Sequence, residues 1–146
     1  MLPYIVFFLT TFFLNFVWEA WHAVFLYEGF DSVPGKHASS LRGFVRMMTR
    51  VSLTDAAILT IILLGGAFVW ESWQWYQTMD AEKYAYFIIA AGIWAGAIEY
   101  KAVFRFHQWE YNQNMPKVFG LGLSPLAQLA VTGTLALVFL RVFVSI

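Results

Sequence analysis

Four long apolar stretches constrain the fold of this chain more than any other feature. They run over residues 2–27, 53–76, 84–106 and 124–146. A helix needs about 20 mostly apolar residues to cross the hydrocarbon core of a bilayer, and each stretch is long enough to do so. We therefore expect an all-α integral membrane four-helix bundle, with residues 1–146 forming a single transmembrane domain.

The composition excludes several classes of protein. Apolar residues make up 60% of the chain and charged residues 12%, whereas soluble domains carry roughly 25% charged residues. Nine basic residues balance nine acidic ones, so no charge excess points to a nucleic-acid partner. The chain has no cysteine, which excludes disulfides and thiolate-bound metals. Membrane lipids are the expected surroundings.

The long first loop, residues 28–52, contains loop and turn residues, namely Pro34, Gly35, Ser39, Ser40 and Gly43. In its second part, residues 41–50, three arginines recur at i, i+4 spacing beside apolar residues. This pattern favours a short basic interfacial helix on the bilayer surface. The alternative is a solvated loop that carries a few arginines.

The distribution of basic residues predicts the orientation. Four spans place both termini on one side, and the first and third loops on the other. Lys83 and Arg141 lie on the side of the termini, whereas seven basic residues lie on the other side: Lys36, Arg42, Arg46, Arg50, Lys101, Arg105 and Lys117. The positive-inside rule then puts both termini outside the cytoplasm. The first span lacks a basic n-region and is longer than a signal-peptide core, so we expect a retained helix.

Polar residues recur at helical spacing inside the spans. Thr11, Asn15, Glu19 and His22 fall on one face of the first span, and Ser124, Gln128 and Thr132 repeat at i, i+4, i+8 in the fourth. Glu99 lies in the third span at the same expected depth as Glu19, roughly 7–8 Å to the cytoplasmic side of the midpoint. Charged groups at such depth cost at least about 2.5–3.5 kcal/mol, so they are candidates for function. We expect one polar pocket that opens toward the cytoplasm.

The candidate catalytic residues are Glu19, Glu99, His22 and Asp55. Two carboxylates at one depth cannot both ionise cheaply, so one is expected to stay protonated beside an ionised partner, which suits proton transfer. A nearby histidine adds a group that titrates close to neutral pH. The alternative is that these side chains only fix helix packing, and that Asp55 is a helix-start charge that reaches the headgroups.

The segment 107–116, after the third span, is dense in hydrogen-bonding and aromatic side chains. Such a loop beside a pocket is typical of ligand binding, although an interfacial anchor is an equal alternative. The candidate ligand-binding residues, from this segment and from the spans, are Asn15, Trp18, His107, Trp109, Tyr111, Asn112 and Gln128.

Short motifs along the chain resemble a family of uncharacterised small four-helix membrane proteins of bacteria and archaea. They are Asn15-x-x-Trp18-Glu19, Leu26-Tyr27, Asp55, Glu99, Trp109-x-Tyr111, Met115-Pro116, Gly122-Leu123 and Pro125-x-x-Gln128. The family resemblance implies a prokaryotic cytoplasmic membrane and no known activity. The first motif is also similar to one in integral-membrane terpene cyclases, where an intramembrane acid protonates an isoprenoid epoxide.

Two classes of function follow. In the first, the chain is an enzyme that performs acid/base chemistry on an isoprenoid or lipid-like substrate. In the second, it is a non-catalytic subunit or binding module of a larger membrane complex that contacts pigment, quinone, haem or partner helices. Haem between His22 and His107 is a further alternative. A metal held by Glu19, His22, Glu99 and His107 is chemically reasonable, but no metal-specific spacing supports it.

Two other patterns bear on packing. Gly92 and Gly96 form a small-xxx-small surface that we expect to share a face with Glu99 and to contact a partner helix or a second copy. Trp70, Trp73, Trp75 and Tyr76 crowd the outer end of the second span, where they are expected to act as interfacial anchors rather than as a cofactor site.

Overall fold

The computed structural model describes residues 1–27 and 41–143. The predicted loop residues Pro34, Gly35, Lys36, Ser39 and Ser40, and the end of the fourth span at residues 144–146, lie outside the described residues. The long helices are α1 (Leu2–Phe25), α2 (Leu41–Val69), α3 (Ala81–Tyr100) and α4 (Leu123–Phe143). A 3₁₀ turn (Trp75–Thr78), a π-helical turn (Lys101–Arg105) and a hairpin of β1 (Lys117–Val118) and β2 (Leu121–Gly122) complete the described elements. The four long helices, the third extended by its π turn, are long and apolar enough to cross a membrane, which confirms the predicted all-α membrane bundle.

The basic segment 41–50 is helical, and its helix continues without a break into the second span. Over 29 residues, α2 measures roughly 43 Å, more than the hydrocarbon core requires. The arginine-bearing turns are therefore the extended first part of α2. The helix ends at Val69, earlier than predicted, and Glu71 follows with a left-handed φ of 49° that turns the chain back.

α1 packs on α2 and α4, and α3 also packs on α2 and α4. The hydrophobic core lies between these four helices. Phe7, Leu59, Phe87 and Leu137 are almost completely buried there. Gly133 of α4 permits this approach, because a Cβ atom at that position would lie 2.5 Å from the Phe87 ring and 2.8 Å from Leu59.

Aromatic residues fill the interior of the bundle at the end where α2 ends and α3 begins. Trp75 and Tyr76 are only 1% and 3% exposed. The indole of Trp75 donates to the carbonyl of Leu63 at 3.0 Å and stacks on Trp70 at 4.8 Å between ring centroids. The interpretation of Trp75 and Tyr76 as interfacial anchors was wrong, because the chain after Val69 folds these rings back over the core.

The buried face of α3 differs from the predicted glycine face. Ala91, Ala95 and Glu99 follow one another at i, i+4 spacing and are all buried. A Cβ atom on Gly96 would come no closer than 3.8 Å to Leu126, and one on Gly92 would meet no described atom within 4 Å. Glu99 therefore shares its face with the two alanines, and the prediction that it continues the glycine face was wrong.

Candidate active site

A partly enclosed cavity of about 120 Å³ lies at the end of the bundle where α1 and α3 end and α2 and α4 begin. All four helices contribute polar groups to its wall. These are the carboxyl groups of Glu19, Asp55 and Glu99 and the amide of Gln128. The rest of the wall is largely apolar, so the cavity combines acidic groups with a surface suited to a hydrocarbon.

The amide nitrogen of Gln128 lies at the centre of a buried polar cluster. Its Nε2 is 2.8 Å from Glu19 Oε1, 3.1 Å from Asp55 Oδ2 and 3.0 Å from Asn15 Oδ1. An amide nitrogen carries two hydrogens, so it cannot donate to all three oxygens at once. We call these four side chains the Gln128 cluster.

A neighbouring hydroxyl leaves both amide hydrogens for the carboxyl groups. The Thr132 hydroxyl lies 3.2 Å from Asn15 Oδ1 and can donate to it, because the backbone carbonyl of Gln128 already accepts a hydrogen bond within α4. Glu19 and Asp55 then share one neutral amide as their donor, and it is costly to ionise two carboxyl groups this close together. The geometry therefore favours a protonated carboxyl group in this cluster.

Glu99 is held by a different set of donors. Its Oε2 accepts the hydroxyl hydrogen of Tyr111 and, at 3.4 Å, the indole hydrogen of Trp109. Burial and the hydrogen bond to Glu99 raise the pKa of Tyr111, so this hydroxyl remains a donor at neutral pH. Two donors on one oxygen favour the carboxylate form of Glu99.

The segment after α3 is fastened to the end of α1. The side chain of Asn112 donates to the carbonyl of Phe25 at 2.9 Å, and its backbone donates to that of Leu26 at 3.1 Å. Tyr27 and Tyr111 pair through their backbones and stack their rings at 5.7 Å between centroids. Burial, with the nearby acidic groups Glu99 and Glu19 adding to it, raises the pKa of Tyr27 well above its usual value.

The predicted ligand-binding residues of this segment thus divide by position. Trp109 lines the cavity. Tyr111 and Asn112 hold the segment in place through the contacts to Glu99 and to α1. His107 is exposed, with a left-handed φ of 46° two residues after the π turn, and it does not line the cavity.

His22 is fully buried beside the cavity rather than in its wall. Its Nε2 lies 2.7 Å from the indole nitrogen of Trp18 and 2.5 Å from the hydroxyl oxygen of Ser124. An indole nitrogen can only donate, so Nε2 accepts and the ring proton is on Nδ1. Among the described residues Nδ1 has no hydrogen-bond partner.

These positions bear on the haem and metal alternatives. Nε2 of His22 already takes part in two hydrogen bonds while His107 is exposed, so the two imidazoles are not arranged as a ligand pair. Of the metal set considered, Glu19 and Glu99 line the cavity and the histidines do not. Across residues 1–27 and 41–143, no three His, Asp or Glu side chains are grouped to hold a metal ion.

The sequence reasoning missed part of the cavity wall and one interhelical contact. Met47 and Met48 of α2 and Tyr27 after α1 line the cavity. The signal for α2 was present, because Met48, Ser52 and Asp55 follow one helical face and are all buried. The missed interhelical contact is that between Ser124 of α4 and His22 of α1, two residues that the sequence predicts on separate polar stripes.

No family model, curated protein or solved structure matches this chain.

Proposed function

We propose that this cavity binds an isoprenoid or other lipid-like molecule and performs acid/base chemistry on it, such as isomerisation, cyclisation or hydration. The supporting observation is that the carboxyl groups of Glu19 and Asp55 share one neutral amide, at the wall of an otherwise largely apolar cavity. A protonated carboxyl group in such surroundings is a usual general acid.

The two groups of acids take different roles in this proposal. The Glu19–Asp55 pair carries the proton and donates it to a carbon–carbon double bond or an epoxide oxygen of the substrate. Glu99, which accepts two hydrogen bonds on one oxygen, acts as the base and removes a proton from a neighbouring carbon of the resulting cation. An isomerisation then conserves all atoms, and the proton returns to the Glu19–Asp55 pair before the next turnover.

Aromatic rings at the cavity stabilise the positive charge that develops on the substrate. Trp109 and Tyr27 both line the cavity, and the π face of an aromatic ring attracts a cation. His22, which was a candidate base, has a positioning role here, because its hydrogen bond to Ser124 joins α1 to α4 one helical turn from Glu19.

We further propose that the cavity opens on the cytoplasmic side of a prokaryotic membrane and that both termini lie outside. The cavity lies at the end of the bundle that carries the arginines of α2 together with Lys101, Arg105 and Lys117. The positive-inside rule assigns that end to the cytoplasm. A lipid-like substrate would then enter from the inner leaflet.

The test compares lipid extracts from host cells that lack the chain and are complemented with wild type, Glu19→Gln or Asp55→Asn. The matched control is Glu82→Gln, an exposed acid in the first turn of α3. We expect a substrate to accumulate with the two cavity variants and to be consumed with wild type and the control. Identical lipid profiles in all four strains would contradict the proposal.

The second candidate function is a non-catalytic subunit of a membrane complex. The observation that favours it is the open space beside Gly92, flanked by the exposed side chains of Ile89 and Ile93. Small residues at such a surface let another helix approach closely. A second chain or a second copy that copurifies in mild detergent and is lost on Gly92→Leu would support this role, whereas a monomer that migrates alone would count against it.

A further inference from the structure

We infer that the cavity also takes a lipophilic amine, bound as its ammonium ion with the nitrogen at Asp55 and Glu19 and the apolar chain along Met48, Ala95 and Leu129. This inference rests on the proposed function, because it uses the same cavity. The inference adds a class of ligand that carries a positive charge and hydrogen-bond donors. When such a ligand binds, its ammonium group takes the place of the carboxyl proton on Glu19 or Asp55.

The first observation is an imbalance of charge in the cavity wall. Three carboxyl groups line the cavity, and among the described residues that line it there is no lysine, arginine or histidine. Within the described ranges, the one ion pair between side chains joins Lys83 to Asp80 at the opposite end of the bundle. Buried carboxylates without a cationic partner are costly, so the cavity favours either protons or a bound cation.

The second observation is the sharing of one donor in the Gln128 cluster. Asp55 is only 7% exposed, and the hydrogen bond that it accepts comes from the nitrogen that also contacts Glu19 and Asn15. A carboxylate can accept several hydrogen bonds, so Glu19 and Asp55 can take a further donor from a ligand in the cavity. A quaternary ammonium supplies charge without a donor and an alcohol supplies a donor without charge, whereas a primary ammonium supplies both.

The third observation is the apolar wall, which accounts for the hydrocarbon part of the ligand. Met48, Ala95 and Leu129 are each no more than 4% exposed, and they belong to three different helices. The indole of Trp109 lies in the same wall, and the π face of an indole attracts a cation. A small hydrophilic ammonium ion would leave this apolar surface uncovered.

The experiment uses the full chain in phosphatidylcholine nanodiscs, with empty nanodiscs subtracted, and three probes of equal chain length. These are octylamine, octyltrimethylammonium and octanol, titrated calorimetrically in two buffers of different ionisation enthalpy. Because a donor to a carboxylate adds substantially to binding, we expect octylamine to bind at least about tenfold more tightly than the other two. We also expect its binding to release a proton from the protein.

Variants separate the cavity from the rest of the chain. Asp55→Asn should abolish the preference for octylamine, with Glu19→Gln as a second variant should the first fail to fold, and Glu82→Gln should retain it. Equal affinity for the three probes, or a preference that survives both cavity substitutions, would overturn the inference. If the lipid extracts still respond to Glu19→Gln in that case, the proposed function stands alone; if the extracts are also identical, both are overturned.

Discussion

Gln128 holds its side-chain nitrogen 2.8 Å from the carboxyl oxygen of Glu19, and this contact joins α4 to α1 at the cavity wall. The same nitrogen reaches Asp55 of α2. One amide therefore connects three helices at the level where the acids lie. The polar cluster that we assign to chemistry is also a structural junction, so substitutions within it need a stability measurement beside any functional one.

Replacement of the junction amide should destabilise the bundle. Gln128→Leu leaves the oxygens of Asn15, Glu19 and Asp55 without their shared donor, and buried unsatisfied acceptors cost about 1–3 kcal/mol each. We expect a lower thermal midpoint in detergent than for the wild type. Gln74→Leu, at an exposed position, is the matched control, and equal midpoints for the two variants would show that the junction does not stabilise the fold.

Tyr111→Phe should weaken the attachment of segment 107–116 to Glu99 and change how the stability falls at alkaline pH. The lost hydrogen bond to Glu99 should cost about 1–2 kcal/mol at neutral pH. The folded protein raises the pKa of Tyr111 above its usual value of about 10. The contribution of Tyr111 to the free energy of unfolding is therefore complete below about pH 10, and it falls as the pH rises through the raised pKa.

Thermal unfolding measured from pH 7 to pH 11 checks this prediction. Wild type should lose stability above pH 10 more steeply than Tyr111→Phe. Tyr100→Phe alters an exposed ring and should follow the wild-type profile. A Tyr111→Phe profile as steep as that of the wild type would mean that this hydroxyl does not contribute.

Two glycine substitutions should have opposite outcomes. A methyl group at Gly133 would meet the Phe87 ring and Leu59 at less than 3 Å, and overpacking of this kind costs about 1–3 kcal/mol. At Gly92 a methyl group meets no described atom within 4 Å. Gly133→Ala should therefore lower the thermal midpoint while Gly92→Ala preserves or raises it, and a tolerated Gly133→Ala would contradict the close approach of three helices.

The orientation can be tested cleanly because the natural chain has no cysteine. Gln113→Cys and Gln74→Cys each place one thiol at an exposed position, in the third and second loops respectively. With intact cells and a membrane-impermeant maleimide, we expect Gln74→Cys to react and Gln113→Cys to react only after lysis. The reverse pattern would place the cavity mouth outside the cell.

Helical spacing predicted which residues of the site lie together on one face of a single helix. The i, i+4 pattern put Asn15 and Glu19 on one face of α1, and Gln128 and Thr132 on one face of α4. The structure brings these faces together. Such positions are predictable because the helix period alone decides which side chains share a face.

The contacts that the sequence did not predict depend on the path of the chain between the helices. The sequence predicts Trp75 at the membrane interface, but the chain after Val69 folds back and buries its ring against the core. Tyr111 reaches Glu99 because Asn112 fastens its segment to the end of α1, and no local pattern predicts that contact. Met48 lines the cavity because α2 continues inward from the segment that the sequence predicts on the bilayer surface.

A proton on Glu19 or Asp55 is the feature on which the proposed acid chemistry depends, and infrared spectroscopy measures it directly. We predict that the spectrum of the wild type at neutral pH, minus that of Glu19→Gln/Asp55→Asn, contains the carbonyl band of a protonated carboxyl group, which shifts in heavy water. The same subtraction with Glu82→Gln should contain none. A wild-type spectrum that lacks this component would contradict the assignment of a general acid to the Gln128 cluster.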